Sequence, residues 1–439
     1  MTIIAAIILA VFCILVLALP RQYATVPIVL SFLYLTEDQI VVIAGQHVYG
    51  STIVAIFCFL RLIIKHEFFF RDTDKITLSI VSWAIIALIT CILLSGLEGY
   101  FNRIRIILTI VIYYIFIKST FKSFDEIIAI FKFLPFFIAP VAVCMILESH
   151  TGHSVFGTSE RYDLLDDIRN GRYRCQGPFS IPILAGTFGA TVMPIMVILW
   201  FQASYKKTWC ILGLVSSVII TFTANTSGAL STFILEIMAF GFWYLRNQMH
   251  WVRRGLVALL IALMVTMKAP VWYLFTKLSD AAGGGGWHRS RLLEVAFGPN
   301  FHEWWLFGTK YTRHWMPNVL RKYPMADITN QYLYEGVDGG IFTMAFFIFI
   351  IVCCFKAIGN SLHRNENAPL RHTIFLWGLG VTLFGHVVSF MSISYFDQSI
   401  IWYYLLIGMI GAVSAVPLLN EESIHTHITA GLTSPGEKP

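Results

Sequence analysis

Long apolar runs broken by short polar punctuation dominate this chain. Windows of about 17 to 25 residues with few charges, the length that lets a helix cross a hydrocarbon core, fall near residues 1–20, 24–37, 50–65, 76–96, 104–119, 125–147, 179–202, 208–224, 228–245, 254–274, 339–356, 372–392 and 398–418. The second is short enough to be a half-helix, so the pattern predicts about twelve or thirteen membrane helices. The first twenty residues lack a basic flank and a small-x-small cleavage pattern, and read as a retained first helix. No repeat appears at solenoid periods and the two halves are not evident inverted copies, which weighs against a secondary-transporter plan.

Composition agrees with the pattern. Of 439 residues 57% are apolar and only 13% charged, with a mean hydropathy of +0.72. A soluble core of that size has too few charges to cover it, whereas a bilayer accepts apolar surface on every side. Soluble enzymes, nucleic-acid factors and secreted disulfide modules are thereby excluded. The 31 Lys and Arg against 25 Asp and Glu give +6, an excess that reflects basic loops rather than nucleic-acid binding. Seven of the eight cysteines lie in apolar runs, and Cys175 stands alone near a polar loop, so no disulfide framework is expected.

Basic residues at Lys65 to Lys75, Lys118 to Lys122, Lys206–Lys207, Arg246 to Arg254 and Lys356 to Arg371 alternate to one side, the expected cytoplasm. The domain plan is then 1–147 (N-terminal helices), 148–178 (first outer loop), 179–274 (central helices), 275–338 (large outer loop with the substrate site), 339–418 (C-terminal helices) and 419–439 (a polar cytoplasmic tail). Loops this long are usually functional. The first holds Glu148, His150, His153, Arg161, Asp163, Asp166, Asp167, Arg169, Arg172 and Arg174, while charges stay largely outside the helices.

Arg172-Tyr173-Arg174-Cys175-Gln176-Gly177-Pro178-Phe179 leads into a helix starting near Ser180, with Pro178 and Pro182 suited to its first turn. Free N–H groups there favour an anion, and two guanidiniums make a diphosphate clamp. Alternatively they anchor at the interface or pair with Asp166 and Asp167. Asn225-Thr226-Ser227-Gly228 reads as a tight turn between helices. After Gly283–Gly286, His288, Arg289 and Arg291 open an amphipathic segment, a second cationic helix start that binds either an anionic substrate or lipid headgroups. Trp304, Trp305 and Trp315 are either belt aromatics or sugar platforms. Before the next helix, Asp327 is placed to accept a hydroxyl proton, Asn330 to orient substrate or cap the helix, and Tyr332 to contact substrate. His386 inside an apolar helix reads as a packing histidine.

The order Arg174-x-x-Gly177-x-Phe179, then Arg289, then Trp304-Trp305-Leu306-Phe307-Gly308-Thr309, then Asn330-x-Tyr332-Leu333 and Asp338-Gly339-Gly340 resembles the O-antigen ligase and O-antigen polymerase superfamily over residues 170–360. The resemblance implies an all-α polytopic glycosyltransferase of the GT-C type in the bacterial inner membrane, working on the periplasmic face. Its substrate would be an undecaprenyl-diphosphate-linked oligosaccharide and its acceptor a saccharide or lipid A-type molecule, for O-antigen, capsule or exopolysaccharide. Membrane lipids and polysaccharide export machinery are the implied partners, with no nucleic acid, cofactor, nucleotide sugar or metal. Arg174 would contact diphosphate, and Arg289 or Arg291 would do so from the large loop. Thr329 stands where ligases of the family carry a histidine, and Gly228 where an arginine is frequent; either Asp327 supplies the base, or the chain is a polymerase or exopolysaccharide-type member in which arginine-assisted departure of the lipid diphosphate dominates. The alternatives are a flippase for lipid-linked saccharide and an inactive scaffold of the same machinery.

Overall fold

A computed structural model describes residues 1–36, 39–43, 46–68, 74–157, 168–169, 171–203, 205–267, 270, 272–274, 277, 286–316 and 326–415. The chain is mainly helical. Its helices are α1 (Ile3–Ala18), α2 (Val26–Tyr34), α3 (Gly50–Ile64), α4 (Lys75–Thr120), α5 (Phe124–Phe131), α6 (Leu134–Thr151), α7 (Pro182–Trp200), α8 (Lys207–Thr223), α9 (Ser227–Gly241), α10 (Met249–Thr266), α11 (Gly286–Phe297), α12 (Phe301–Trp304), α13 (Gln331–Arg364), α14 (Leu370–Ser389) and α15 (Ser399–Ala415). Two antiparallel ribbons, Ile40–Ile43 with Gln46–Tyr49 and Ile168–Arg169 with Arg172–Tyr173, accompany them. Among the described residues six helical stretches are long and apolar enough to cross a membrane: Lys75–Leu94, Phe124–Thr151, Pro182–Trp200, Ser227–Thr266, Gln331–Arg364 and Leu370–Ser389. Ile3–Ala18, Gly50–Ile64, Lys207–Thr223 and Ser399–Ser414 are apolar but shorter.

Three expected boundaries change. The segment expected at 24–37 is helical only over the nine residues Val26–Tyr34. Those expected separately at 228–245 and 254–274 run on as Ser227–Thr266, through a 3-10 stretch at Phe242–Gln248. The large loop was expected to reach 338, but α13 begins at Gln331, and Gln331, Leu333, Glu335 and Val337 are already buried.

The expected pair 76–96 and 104–119 survives in another form. Backbone stays helical from Lys75 to Thr120, yet Lys118 Nζ lies 2.6 Å from Asp74 Oδ2 and the Tyr114 hydroxyl 2.8 Å from Thr77 Oγ1. A straight helix rising about 1.5 Å per residue would hold Asp74 and Lys118 roughly 65 Å apart, so α4 doubles back into two antiparallel arms. Asp74 also caps the first arm, accepting the Thr77 N–H at 2.7 Å.

The basic helix ends gather on one face, as the charge pattern predicts. Arg21 donates to the Thr120 carbonyl and pairs with Glu126 at 2.6 Å. The Tyr205 hydroxyl donates to the Lys132 carbonyl at 2.8 Å, and His372 stacks on Phe124. Arg61 is buried there because its guanidinium donates to the Val16 and Leu19 carbonyls at the end of α1 and grips Glu67 through two nitrogens. Helix α7 runs through the centre, buried over almost its whole length against α8, α9 and α14. Small residues allow this: a Cβ at Gly189 would strike Thr221, and Ser217 Oγ donates across the seam to the Gly189 carbonyl at 2.7 Å.

The expectation that charges stay outside the helices holds only in part. Glu148, Glu236 and Glu335 are all buried in helices. Glu148 and Glu335 are hydrogen-bonded, while both Glu236 oxygens lack a hydrogen-bond partner among the described residues.

Candidate functional site

On the face opposite the basic ends, the short ribbon and the turn after it are held by five anchors. The Cys175 N–H donates to the Thr223 carbonyl at 3.1 Å. The Gln176 and Gly177 N–H groups both donate to Glu148, at 2.9 and 3.0 Å. Gln398 Nε2 donates to the Pro178 carbonyl at 2.7 Å, and the Ser180 N–H to Asp397 Oδ2 at 2.9 Å. Asn225, itself at φ 47°, donates to the Arg169 carbonyl at 3.0 Å. Asn225 thus lies in a turn, as predicted, while Ser227 and Gly228 of the predicted segment already belong to α9, and Asn225 also clamps the ribbon that carries Arg169. Pro182 occupies the first turn of α7 as expected. The negative group offered to the backbone just ahead of that turn is the protein's own Asp397, so the expected anion-binding role of this helix start is already taken by a side chain of the chain itself.

Charged side chains here act on one another. Arg289, on the first turn of α11, donates through Nε to the Ser392 carbonyl at 3.1 Å. Its pKa is lowered first by burial and then by Arg169, with Asp327 acting in the opposite sense and Arg174 adding to the lowering. Arg169, Arg174 and Asp327 therefore all act on Arg289, although they come from the ribbon, the turn and the large loop. Three guanidiniums held together at a partly dry surface form a site that a doubly charged phosphate group relieves. The Arg289 guanidinium keeps its charge throughout.

His288 and Asp327 complete the cluster. Burial lowers the His288 pKa more than Asp327 raises it, and Arg289 lowers it further, so the ring is neutral at neutral pH. That alters the expected cationic role of His288: the positive charge comes from arginine. Asp327 is reached by solvent, yet the surrounding protein pushes its carboxyl above the usual aspartate range, against the pull of His288 and Arg289. A carboxyl with a raised pKa beside a cationic patch suits a general base.

The other expected site residues stand apart from this cluster. Arg291 points to the surface and pairs with Glu294 at 2.8 Å. Arg172 is exposed on the ribbon, opposite Arg169. Asn330 Oδ1 accepts the Leu333 N–H at 3.0 Å, which is the capping alternative. The Tyr332 hydroxyl donates to the Val387 carbonyl at 3.0 Å and its ring packs edge-on against Phe347 and Phe390. Trp305 is 43% exposed while its backbone joins α13, a point that explains the spacing of two motifs. At Gly340 (φ 81°, ψ 175°) α13 breaks, and the segment 305–309 repairs the break: the Ile341 N–H donates to the Trp305 carbonyl at 2.8 Å and the Thr309 N–H to the Val337 carbonyl at 2.7 Å. Arg161, Asp163, Asp166, Asp167, Gly283 to Gly285 and the 419–439 tail lie outside the described residues.

The sequence reading counts Arg169 and Glu148 among the charges of the first outer loop without a role, and names neither Asp397 nor Ser392. Glu148 carried the clearest signal, a carboxylate one turn from the end of an apolar run. The chain matches no protein-family model and no curated protein.

Proposed function

We propose that the chain is an integral membrane glycosyltransferase, GT-C-like, that transfers or polymerises saccharide from an undecaprenyl-diphosphate carrier on the periplasmic face of the bacterial inner membrane. The observation that carries this reading is Arg289, held by the Ser392 carbonyl at 3.1 Å and acted on by the charges of Arg169, Arg174 and Asp327. In the proposed reaction an acceptor hydroxyl oxygen attacks the anomeric carbon and gives its proton to the Asp327 carboxylate. The bond from that carbon to the diphosphate oxygen breaks, and its electron pair leaves with the lipid diphosphate. The arginines neutralise the departing charge, so the protein contributes positioning and electrostatics. A single displacement inverts the anomeric centre.

The test is incubation of the protein in nanodiscs with undecaprenyl-diphosphate oligosaccharide, with and without candidate acceptors, followed by mass analysis. Lengthening with the lipid-linked saccharide alone identifies a polymerase; transfer only to an added acceptor identifies a ligase. Binding of the carrier without transfer to any acceptor refutes the proposal.

A second reading, a transporter of lipid-linked saccharide, is favoured by Glu236, fully buried in α9 with no hydrogen-bond partner among the described residues. It predicts carrier movement across proteoliposomes that Glu236→Gln abolishes.

A further inference from the structure

Toward the basic helix ends, a cavity of about 690 Å³ opens between α9, α10, the second half of α13 and α14. Its origin is α10. None of that helix's residues is buried, and its main packing is on the 3-10 stretch that leads into it, so it stands off the bundle and leaves a wedge. The walls are apolar and open: Met238 on α9, Phe242 after it, Leu256 on α10 and Phe355 on α13 are all exposed. At the floor Trp377 Nε1 donates to the Ala239 carbonyl at 3.3 Å and ties α14 to α9. Beside it Gly380 leaves room, since a Cβ there would meet only Ile358, at 3.7 Å. Exposed apolar side chains are ordinary on a membrane helix, but here they line a concavity, and a gap of this size does not stay empty in a bilayer.

The rim says what fills it. Arg246 and Arg253 both line the cavity, and both are exposed. The Arg246 guanidinium lies 4.3 Å over the Trp243 ring, and Arg253 makes no ion pair among the described residues. The carboxylate on the same rim, Glu366, is already held by His363 at 2.5 Å, so the rim is net positive. Tyr244 and Trp251, both exposed, flank these arginines in the chain, and such aromatics mark the depth of lipid headgroups. Guanidinium forks at that depth, above an apolar groove between helices, are the chemistry that holds a phosphate together with the acyl chain below it.

We infer that this groove holds one anionic phospholipid, with its phosphate at Arg246 and Arg253 and an acyl chain filling the wedge between α10 and the α13–α14 pair. The lipid supplies the packing that α10 does not obtain from the protein. The positive rim selects an anionic headgroup over a zwitterionic one. The inference rests on the membrane placement of these helices and is independent of the transferase reading.

The test adds dioleoyl phosphatidylglycerol or dioleoyl phosphatidylcholine to the full-length protein, delipidated in detergent, and reads bound lipid by native mass spectrometry alongside the thermal midpoint. Saturable binding of one phosphatidylglycerol per chain is expected, with a raised midpoint. Arg246→Gln or Arg253→Gln should weaken it roughly 5-fold and the pair together about 30-fold. Arg254→Gln is the control. That arginine is the next residue in the chain but lies outside the cavity, over the Trp251 ring, and its loss should leave binding unchanged. Gly380→Phe, which fills the wedge, should weaken both lipids, and if that variant does not fold the arginine variants carry the test. Equal affinity for the two lipids, or an equal loss in Arg254→Gln, means general interfacial attraction and overturns the inference. So does the absence of saturable binding, a dimer that excludes the lipid and gives the groove to a second copy, or tighter binding of undecaprenyl phosphate, which gives it to the carrier.

Discussion

Arg174 acts on Arg289 from a segment more than a hundred residues away, and the repulsion is tolerated because Glu148 and Thr223 fix the backbone after Arg174 while the Ser392 carbonyl holds the Arg289 guanidinium. A charge-assisted hydrogen bond to phosphate is worth about 1.5–3 kcal/mol. Arg174→Ala or Arg289→Ala should therefore lower kcat/KM roughly 10- to 100-fold with near-normal thermal unfolding, and full activity in either variant removes the diphosphate assignment. Asp327 gives a signature in pH. Its raised pKa means that the carboxyl is protonated, and useless as a base, over a wider acid range than usual. Activity should climb with pH through a limb above the ordinary aspartate range, and Asp327→Asn should abolish both the limb and the turnover. A silent Asp327→Asn would return the residue to a turn role. Arg174, Arg289 and Asp327 were legible as charged groups beside helix starts. Their convergence was not, because it depends on tertiary anchors such as Glu148 that look like stray charges in an apolar run.

At the scale of elements, the break at Gly340 carries the most consequence. A Cβ there would meet the Leu306 carbonyl at a positive φ, so Gly340→Ala combines backbone strain of about 1–3 kcal/mol with loss of the stitch to Trp305. The expected outcome is a lowered thermal midpoint in detergent together with lost activity; an unchanged midpoint would show that the break relaxes cheaply. The hydrophobic pattern marked most helices correctly but missed this one's outer portion. Residues 331–338 mix Gln, Tyr, Glu and Asp with few aliphatics, a pattern that reads as loop until Trp83, Gln331 and Arg103 are seen to satisfy the two carboxylates. Arg103 was equally opaque. It falls in the gap between two apolar windows, and its partner Asp338 lies far along the chain.

For the whole molecule, the gathered basic ends set a test of sidedness. The described cysteines are buried or half-buried, and burial pushes the Cys175 thiol up to about 12, so background alkylation should be low. Tyr311, 72% exposed, adjoins the start of α13, whereas Glu366 follows its far end. In intact cells an impermeant maleimide should label Tyr311→Cys and spare Glu366→Cys. The reverse result would invert the orientation and with it the proposed periplasmic placement of the site. The charge alternation and the hydropathy record this architecture well, because a bilayer imposes both locally. What the sequence pattern left open is how polar groups pair across helices, which is decided by packing alone.

The stitch at Gly340 also bears on biogenesis. Residues 305–309 emerge from the ribosome before the helix whose broken backbone they complete. A helix entering lipid with N–H and C=O groups open in its first third is penalised until something caps them. The segment headed by Trp305 is therefore a plug made in advance, already synthesised when α13 arrives.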